Sequence, residues 1–374
     1  MKWEMVKLGD VINIAKGKKH NPLLDGKNRY INIEDLHNPS NLILTNDDGT
    51  FVSSSDLIIA WDGANAGKVG VGYDGVIGST LARLRLNRKD IDSNYLFWYL
   101  ESKNSYIKSQ RTGATIPHVN GETLKQIQIP LPPLTVQKEI AEILDTADAL
   151  RKKDNELLKK YDELAQSIFI EMFGDPVRNE KGWEVFSFES LFDSRLGKML
   201  DVKKQIGKTK YKYLGNSNVQ WFRLELSNLA EMEFDQKEIE TLNLKDGDIL
   251  ICEGGDVGRC AVWKSEMDNV YFQKAIHRAR PRKDNILPSY LARLFWNFSK
   301  YGGFKDFVST STISHLTGEK LKTIPIPLPP IALQIKYDQI ITNLNKQKNE
   351  LTTITHTNNL FHSLLQKAFK GELT

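Results

Sequence analysis

Two long stretches of the chain repeat apolar side chains every three or four residues without interruption. The first runs from Leu134 to Phe173 and the second from Ile331 to Phe369, and neither contains glycine or proline. Steps that alternate between three and four residues give an average period of about 3.5, which is typical of coiled coils, whereas ordinary globular helices are far shorter. The pattern predicts two long helices that pair with each other. Two separate amphipathic core helices are the alternative.

The two predicted helices have similar apolar stripes, each of which would form the seam between paired helices, and each helix follows the same proline-rich sequence. Each follows the sequence Ile-Pro-Leu-Pro-Pro, at 129–133 and at 326–330, and proline ends the preceding element. Single polar residues interrupt each seam, a feature that commonly fixes register and partner. The first seam comprises Ile140, Ile143, Ala147, Leu150, Leu157, Leu164 and Ile168 with Asp154 and Tyr161 between them, and the second comprises Ile340, Leu344, Leu351, Ile354, Phe361, Leu365 and Ala368 with Gln347 and Asn358.

The rest of the chain is also repeated. Residues 115–133 and 312–330 both read Thr-Ile-x-His-x-x-Gly-Glu-x-Leu-Lys-x-Ile-x-Ile-Pro-Leu-Pro-Pro, and Trp3-Glu4 returns as Trp183-Glu184. The repeat predicts a globular unit at 1–133, a helix at 134–174, a second unit at 175–330 and a second helix at 331–374. The second copy is longer, mainly between Gly197 and Asp248. Because insertions accumulate in surface loops, this predicts two modules that share a scaffold and recognise different things.

Each unit is predicted to be mixed α and β. The apolar runs Leu57–Ala60 and Ile249–Cys252 predict strands, each followed by a glycine-rich turn, at 62–68 and at 253–259. Ser93 is the expected cap of a helix through Leu100, and Ser289 precedes its counterpart. Only a short connection follows the first long helix, so the second must run back to bury its seam. The predicted class is α+β: two similar domains separated by a long antiparallel two-helix coiled coil.

Composition narrows the function less than the repeat does. The chain has 374 residues, of which 26% are charged, and its formal net charge is +4, so no global field dictates a partner. Cys252 and Cys260 cannot form a zinc site alone. No signal peptide or membrane-length apolar run is present, so a soluble, cytoplasmic protein without a membrane partner is expected.

Basic residues nevertheless cluster at matched places in the two units. The segment 195–212 is basic apart from Asp201, whereas 225–248 is mainly acidic, and 16–29 is a sparser counterpart of the basic segment. Recurrence in both units predicts a surface that faces a polyanion. A solvated charged face is the alternative for any one cluster alone.

The candidate DNA contacts are basic side chains, the glycine-rich turns and the hydroxyl and imidazole groups of the repeated block. In the first unit they are Lys16, Lys18, Lys19, Asn65, Lys68, Arg111, Thr112, Thr115 and His118; in the second they are Lys198, Lys203, Lys204, Lys208, Arg259, Ser311, Thr312 and His315. Neither turn has the spacing of a phosphate-binding loop, and a tight strand-to-strand turn is the alternative. The two histidines have no further ligand at metal-binding spacing, so a packed or capping role competes with a DNA contact.

Catalytic signals are weak. The nearest nuclease-like group combines Asp90 or Asp92 with Glu101 and Lys103. The last two fall in a predicted helix, whereas metal-dependent nucleases of this kind carry the pair on a strand. No catalytic residue and no metal site is therefore predicted.

The ordered, repeated motifs resemble those of the DNA-specificity (S) subunits of type I restriction–modification systems. The motifs are Trp3-Glu4-x-x-x-Leu8-Gly9-Asp10, Thr115-Ile116-Pro117-His118, Pro-Leu-Pro-Pro-x-x-x-Gln ending at Gln137 and Gln334, and Phe173-Gly174-Asp175-Pro176 leading to Lys181-Gly182-Trp183. The second copy departs from the pattern at Ser314, which stands where the first has Pro117.

The resemblance implies that each unit is a target-recognition domain for one half of a bipartite, asymmetric double-stranded DNA sequence. It also implies two modification (M) subunits that methylate adenine with S-adenosylmethionine, and restriction (R) subunits that use ATP and Mg²⁺. This chain itself would bind no cofactor and catalyse nothing. A system whose partner fuses restriction and modification in one chain, a stand-alone nuclease and a coiled-coil scaffold are the alternatives.

Overall fold

A computed structural model describes residues 3–37, 42–113, 115–200, 207, 209–308, 315–351 and 354–373, with the backbone alone described at 351 and 354–357. The chain divides into two compact units. The first contains residues 1–157 and 351–374, and the second contains residues 158–350.

The first unit alternates short strands with helices. Its strands are β1 (Glu4–Lys7), β2 (Ile12–Lys16), β3 (Asn28–Ile31), β4 (Leu44–Thr45), β5 (Phe51–Val52), β6 (Leu57–Ala60), β7 (Val69–Val71), β8 (Gly75–Ile77), β9 (Leu81–Leu86) and β10 (Gln128–Leu131). Its helices are α1 (Leu8–Val11), α2 (Ser93–Ser102), α3 (Asn104–Ser109), α4 (Gly121–Lys125) and the first part of α5 (Leu134–Phe173).

The second unit follows the same order with additions. Its strands are β11 (Val185–Ser187), β12 (Phe192–Leu196), β13 (Lys210–Leu214), β14 (Val219–Gln220), β15 (Arg223–Leu224), β16 (Ala230–Glu233), β17 (Ile249–Cys252), β18 (Cys260–Val262), β19 (Val270–Phe272), β20 (Ile276–Pro281) and β21 (Pro325–Pro327). Its helices are α6 (Phe188–Leu191), α7 (Gln236–Thr241), α8 (Pro288–Tyr301), α9 (Gly318–Lys322) and α10 (Ile331–Leu351), and α11 (Ile354–Ala368) belongs to the first unit.

The sheets confirm the internal repeat. An antiparallel sheet has the order β2-β9-β6-β7 in the first unit and β12-β20-β17-β18 in the second. A second sheet contains a parallel pair in each unit, β3 with β8 and β13 with β19. The hairpin β14–β15 and helix α7 lie within the longer second copy, as expected of insertions into a conserved scaffold.

A bidentate ion pair recurs inside both antiparallel sheets. Arg85 donates to both oxygens of Asp56, at 2.8 and 2.6 Å, and Arg280 donates to Asp248, at 2.7 Å for each contact. Both aspartates are buried, with Asp248 fully so. Both arginines are therefore held by internal carboxylates and are not free to contact a polyanion.

The proline junctions are fixed by a buried glutamine and a tyrosine. Gln137 accepts from the Asp92 N–H at 2.9 Å and donates to the Pro132 carbonyl at 2.9 Å. Tyr95 donates its hydroxyl proton to the Pro130 carbonyl at 2.7 Å, and burial raises the pKa of that phenol, which therefore remains a donor. Gln334 and Tyr290 make the same kinds of contact in the second unit. The glutamine of the repeated motif thus joins the start of each long helix to its own globular unit.

The first long helix has the predicted bounds, Leu134–Phe173. The second is described as α10 and α11, on either side of residues 352–353, which lie outside the described residues. Within the second unit, Phe169 and Phe173 contact Tyr337, and Asp162 accepts from Lys348 at 2.5 Å. Because the later residues of α5 meet the earlier residues of α10, these segments run antiparallel.

The predicted seam of α5 is partly wrong. Ile143, Leu150, Leu157 and Leu164 are 40%, 54%, 38% and 47% exposed. The buried apolar positions are Ile140, Ala141, Leu144, Ala165, Phe169 and Phe173. Helix α5 carries more apolar residues than one seam requires. Several different sets of them therefore satisfy a period of 3.5, and the predicted set includes both buried and exposed residues.

The predicted cap of α2 is wrong, and α8 begins earlier than predicted. Asp92 caps α2, because its side chain accepts from the Tyr95 N–H at 2.9 Å. Ser93 is already the first residue of the helix. Helix α8 has Leu287 at the cap position and Pro288 as its first residue, a proline that needs no N–H partner there. Ser289 is therefore already inside the helix.

Candidate nucleic-acid interface

In the first unit the glycine-rich turn and the repeated block form one structure. The Gly63 N–H donates to the Pro117 carbonyl at 2.8 Å, and the Val119 N–H donates to the Trp61 carbonyl at 2.8 Å. Gly63 and Gly67 have φ values of +91° and +96°, which side chains other than glycine rarely adopt. The glycines therefore let the turn fold tightly against residues 115–118.

Arg111, Thr112 and His118 gather at this turn. Arg111 donates to the Ala64 carbonyl at 3.2 Å, and the Thr112 hydroxyl and His118 Nε2 share a hydrogen bond of 2.8 Å. Lys16 reaches the same place, with its ammonium 3.0 Å from Asp62. The sequence-predicted residues are thus brought together. His118 is half-buried and hydrogen-bonded, and its contact with DNA stays a prediction.

Lys68 lies beside this group but its amine is engaged. Its Nζ is 2.9 Å from His37 Nδ1. Burial lowers the pKa of Lys68, and the negative charge of Glu101 offsets this effect only in part. Asn65 is half-buried and its carbonyl accepts from the Lys68 N–H at 3.0 Å. Lys18, Lys19 and Thr115 are exposed.

The second unit repeats the arrangement with different side chains. The Leu316 N–H donates to the Glu253 carbonyl at 2.7 Å, and the exposed His315 lies so close to Gly254 that a Cβ there would be 2.9 Å from its ring. Glu253 also contacts the buried His277 at 2.8 Å, and burial lowers the pKa of that imidazole.

Arg259 and Asn216 adjoin this turn. Arg259 donates from Nη2 to the Asn216 carbonyl at 2.8 Å, and the Asn216 amide donates to the Gly254 carbonyl at 3.3 Å. Both residues line an open polar cleft of about 680 Å³. The other lining residues are Tyr213, Gly215, Ser217, Asn218, Gln220, Asn228, Ala230 and Gln273.

The separation of charge along the second unit's sequence is not kept in space. Lys198 is 2.5 Å from Glu238, and the pairing of β13 with β16 sets Lys210 opposite Glu233 and Lys212 beside Glu231. Opposite charges across a strand pair reduce the field of the basic segment. The predicted contacts Lys203, Lys204, Lys208, Ser311 and Thr312 lie outside the described residues.

The nuclease-like group does not assemble among the described residues. Asp92 caps α2, and Asp90 pairs with Arg88 at 2.5 Å. Within the described parts of the chain, no three His, Cys, Asp or Glu side chains are grouped to hold a metal ion. No described helix is both long and apolar enough to cross a membrane.

The sequence reasoning missed the carboxamides of the cleft. Asn216, Asn218 and Gln220 follow β13 directly, and the chain folds them against Gln273, which immediately follows β19. The run Asn-Ser-Asn-Val-Gln at 216–220 was a visible signal, because amide side chains are base-reading groups and the run falls within the longer stretch of the second copy.

Comparisons with known proteins agree with this organisation. The profile of the type I restriction modification DNA specificity domain matches residues 1–160 and 180–360. The MjaVIII specificity subunit of a type I restriction enzyme from Methanocaldococcus jannaschii is 30% identical over 268 residues, covering 67% of this chain and 63% of that protein, which is less than two thirds of it. The EcoKI specificity subunit from Escherichia coli is 26% identical over 356 residues, covering 86% of this chain and 76% of that protein.

The fold is shared with a solved structure. The crystal structure of a type I restriction–modification S subunit from M. genitalium has a TM-score of 0.59 to this chain at 17% identity, covering 99% of this chain and 96% of that one. The likeness confirms the predicted fold class of two similar mixed domains with long helices. The profile accounts for most of the residues and matches both units, and the chain belongs to the type I restriction modification DNA specificity domain family, a family of recognition subunits rather than catalytic ones.

Proposed function

We propose that this chain gives a type I restriction–modification complex its sequence specificity, with each unit reading one half of a bipartite double-stranded DNA target. One observation carries the proposal. The same scaffold occurs twice, but the turn that follows β3 in the first unit differs from the turn that follows β13 in the second. In the first unit Asn32–Asp35 forms a capped turn closed by Arg29, which donates to Asp35 at 2.6 Å. In the second, Gly215–Asn218 forms the equivalent turn and opens onto the cleft.

The division of labour follows from this design. Shared sheets would hold both readers in the same way, while different surfaces at equivalent places would recognise different base sequences. The family relationship supports partner subunits that perform the chemistry. We infer two modification subunits that methylate adenine with S-adenosylmethionine, and restriction subunits that use ATP and Mg²⁺, all acting in the cytoplasm. A fused restriction–modification partner remains the alternative partner.

An apolar stripe on α5 supports a partner subunit. Within the first unit, Ile143, Leu150 and Leu157 are spaced seven residues apart and are 40%, 54% and 38% exposed. A repeated seven-residue spacing keeps apolar side chains on one side of a helix, as at helical interfaces. Leu150→Glu with Leu157→Glu should abolish co-purification of the modification subunit. The control Asn155→Glu should not, because Asn155 is exposed and lies about 140–160° around the same helix from these leucines. Equal recovery with both variants would remove the stripe from the interface.

Half-site reading is tested by a domain exchange. Residues 1–133 are replaced by the corresponding segment of another family member of known target, and methylated adenines are mapped across a host genome that also carries the modification subunit. One half of the methylated sequence should change to that of the donor while the other half is kept. The matched control is the opposite exchange, of residues 175–330. A chimera that methylates DNA with both halves altered, or with neither, would refute independent reading.

A further inference from the structure

The described lining of the cleft in the second unit is polar and carries little charge. Among the described residues, five lining side chains are carboxamides and Arg259 is the one that is charged. Phosphates are bound mainly by cations and backbone N–H groups, whereas a carboxamide offers a donor and an acceptor side by side. The lining is therefore better suited to base edges than to the DNA backbone.

The carboxamides of the cleft differ in how far their polar atoms are hydrogen-bonded within the protein. Asn218 is engaged at both ends of its carboxamide, because its oxygen accepts from the Gly215 N–H at 2.9 Å and its amide donates to the Glu225 carbonyl at 2.9 Å. Gln220 donates to the Ser217 carbonyl at 2.8 Å, which leaves its side-chain oxygen as an acceptor. Asn218 thus shapes the cleft, and its neighbours supply the recognition groups.

Asn216 is the most unusual of these residues. Its side-chain oxygen is buried without a hydrogen-bond partner among the described residues, and the Nε of the adjoining Arg259 is in the same condition. Buried polar atoms are almost always paired, and those left unpaired are costly. Among the described residues, the Asn216 amide makes one hydrogen bond, of 3.3 Å, to the Gly254 carbonyl. Turning this side chain into the cleft therefore breaks one long bond.

We propose that this cleft reads A·T base pairs in one half of the target, with Asn216 and Gln273 as specificity-determining residues; the proposal rests on the proposed function. Adenine presents an N6–H donor beside the N7 acceptor in the major groove, and a carboxamide satisfies both at once. The Asn216 backbone is held by Arg259, and Gln273 is anchored by its N–H, which donates to the Leu214 carbonyl at 3.0 Å. Both side chains are therefore presented from fixed backbone.

The test uses the full chain co-purified with its modification subunit and a library of randomised duplexes from which bound DNA is sequenced. Asn216→Ala and Gln273→Ala are compared with Asn243→Ala, a carboxamide exposed elsewhere on the same unit. Loss of one bidentate contact should reduce discrimination between A·T and G·C roughly 5- to 150-fold at one or two adjacent positions of one half. The other half, the control variant and the salt dependence of binding should not change.

The outcomes separate this proposal from the function on which it rests. Melting temperatures verify that each variant is folded, and Gln273→Ala keeps the proposal testable if Asn216→Ala fails to fold. A wild-type bipartite motif that both variants retain unchanged would overturn the cleft proposal and leave the proposed function standing. A loss of selectivity spread over both halves would also overturn it. Failure of the wild-type complex to select any motif would overturn the proposed function itself.

Discussion

The buried glutamine at the start of α10 provides the sharpest test of what the repeated proline junction does. Gln334 is fully buried and makes three hydrogen bonds at once. It accepts from the Leu287 N–H at 2.9 Å, and it donates to the carbonyls of Asn285 and Pro329 at 3.1 and 2.8 Å. Gln334→Leu keeps a similar side-chain volume and removes all three, so the N–H that precedes α8 loses its partner.

The expected cost follows from the groups left behind. A buried N–H or carbonyl without a hydrogen-bond partner costs about 1–3 kcal/mol. Burial of the apolar Leu side chain offsets a part of this loss of stability. We therefore expect the free energy of unfolding of the second unit to fall by about 3 kcal/mol. For a unit of this size that corresponds to a melting temperature lower by roughly 6–12 °C.

Calorimetry of the full chain measures this change directly. The matched control is Gln347→Leu, which makes the same substitution at an exposed position of the same helix and should cost less than about 0.5 kcal/mol. Gln137→Leu should reproduce the loss in the first unit, since Gln137 has equivalent partners. A loss below 1 kcal/mol for Gln334→Leu, or an equal loss for the control, would show that the glutamine does not fix the junction.

Three further predictions concern charge, pH and helix length. Arg280→Ala should lower the free energy of unfolding by about 3 kcal/mol, because it leaves Asp248 buried and unpaired. The control Arg223→Ala removes one partner of an exposed ion pair and should cost less than about 1 kcal/mol. Equal losses of the two variants on thermal melting would contradict this. Burial lowers the pKa of His277 below 6.5, so the unfolded chain takes up the proton first as pH falls. Wild-type stability in urea should therefore decline below about pH 6.5 and that of His277→Gln should decline less, and parallel declines would refute the assignment. Four residues inserted after Lys159 add about 6 Å and just over one turn to α5, so the spacer between methylated half-sites should lengthen by one or two base pairs. Two inserted residues instead rotate Phe169 and Phe173 by roughly 200° and should prevent folding. An unchanged spacer in a folded four-residue variant would show that the length of α5 does not set the distance between half-sites.

Local pattern determined the architecture. The absence of Gly and Pro, together with the preceding prolines, predicted the bounds of α5, and the apolar run Leu57–Ala60 predicted strand β6 itself. The duplication was readable because the scaffold residues recur, including Gln137 with Gln334. Helix and strand period depend on neighbours in sequence, so these features need no knowledge of tertiary contacts.

The tertiary structure decided which side chains remain available. Arg280 is one of several basic residues near the end of β20, but it pairs with Asp248, the residue just before β17 in the same sheet. Lys198 likewise meets Glu238 on an inserted helix. Pairing between residues distant in sequence is set by strand register and not by composition, so charge runs overstated the free basic surface.

The same limit explains the carboxamide cleft and the seam of α5. Asn216 and Gln273 become neighbours in one cleft only because β13 pairs in parallel with β19. On α5, the choice between Leu144 and Ile143 as the buried residue depends on what packs against the helix, and both are equally apolar. The sequence by itself determined the elements, their order and their duplication. The fold decided which atoms are buried, paired or left to bind, because those properties depend on contacts between segments far apart in the chain.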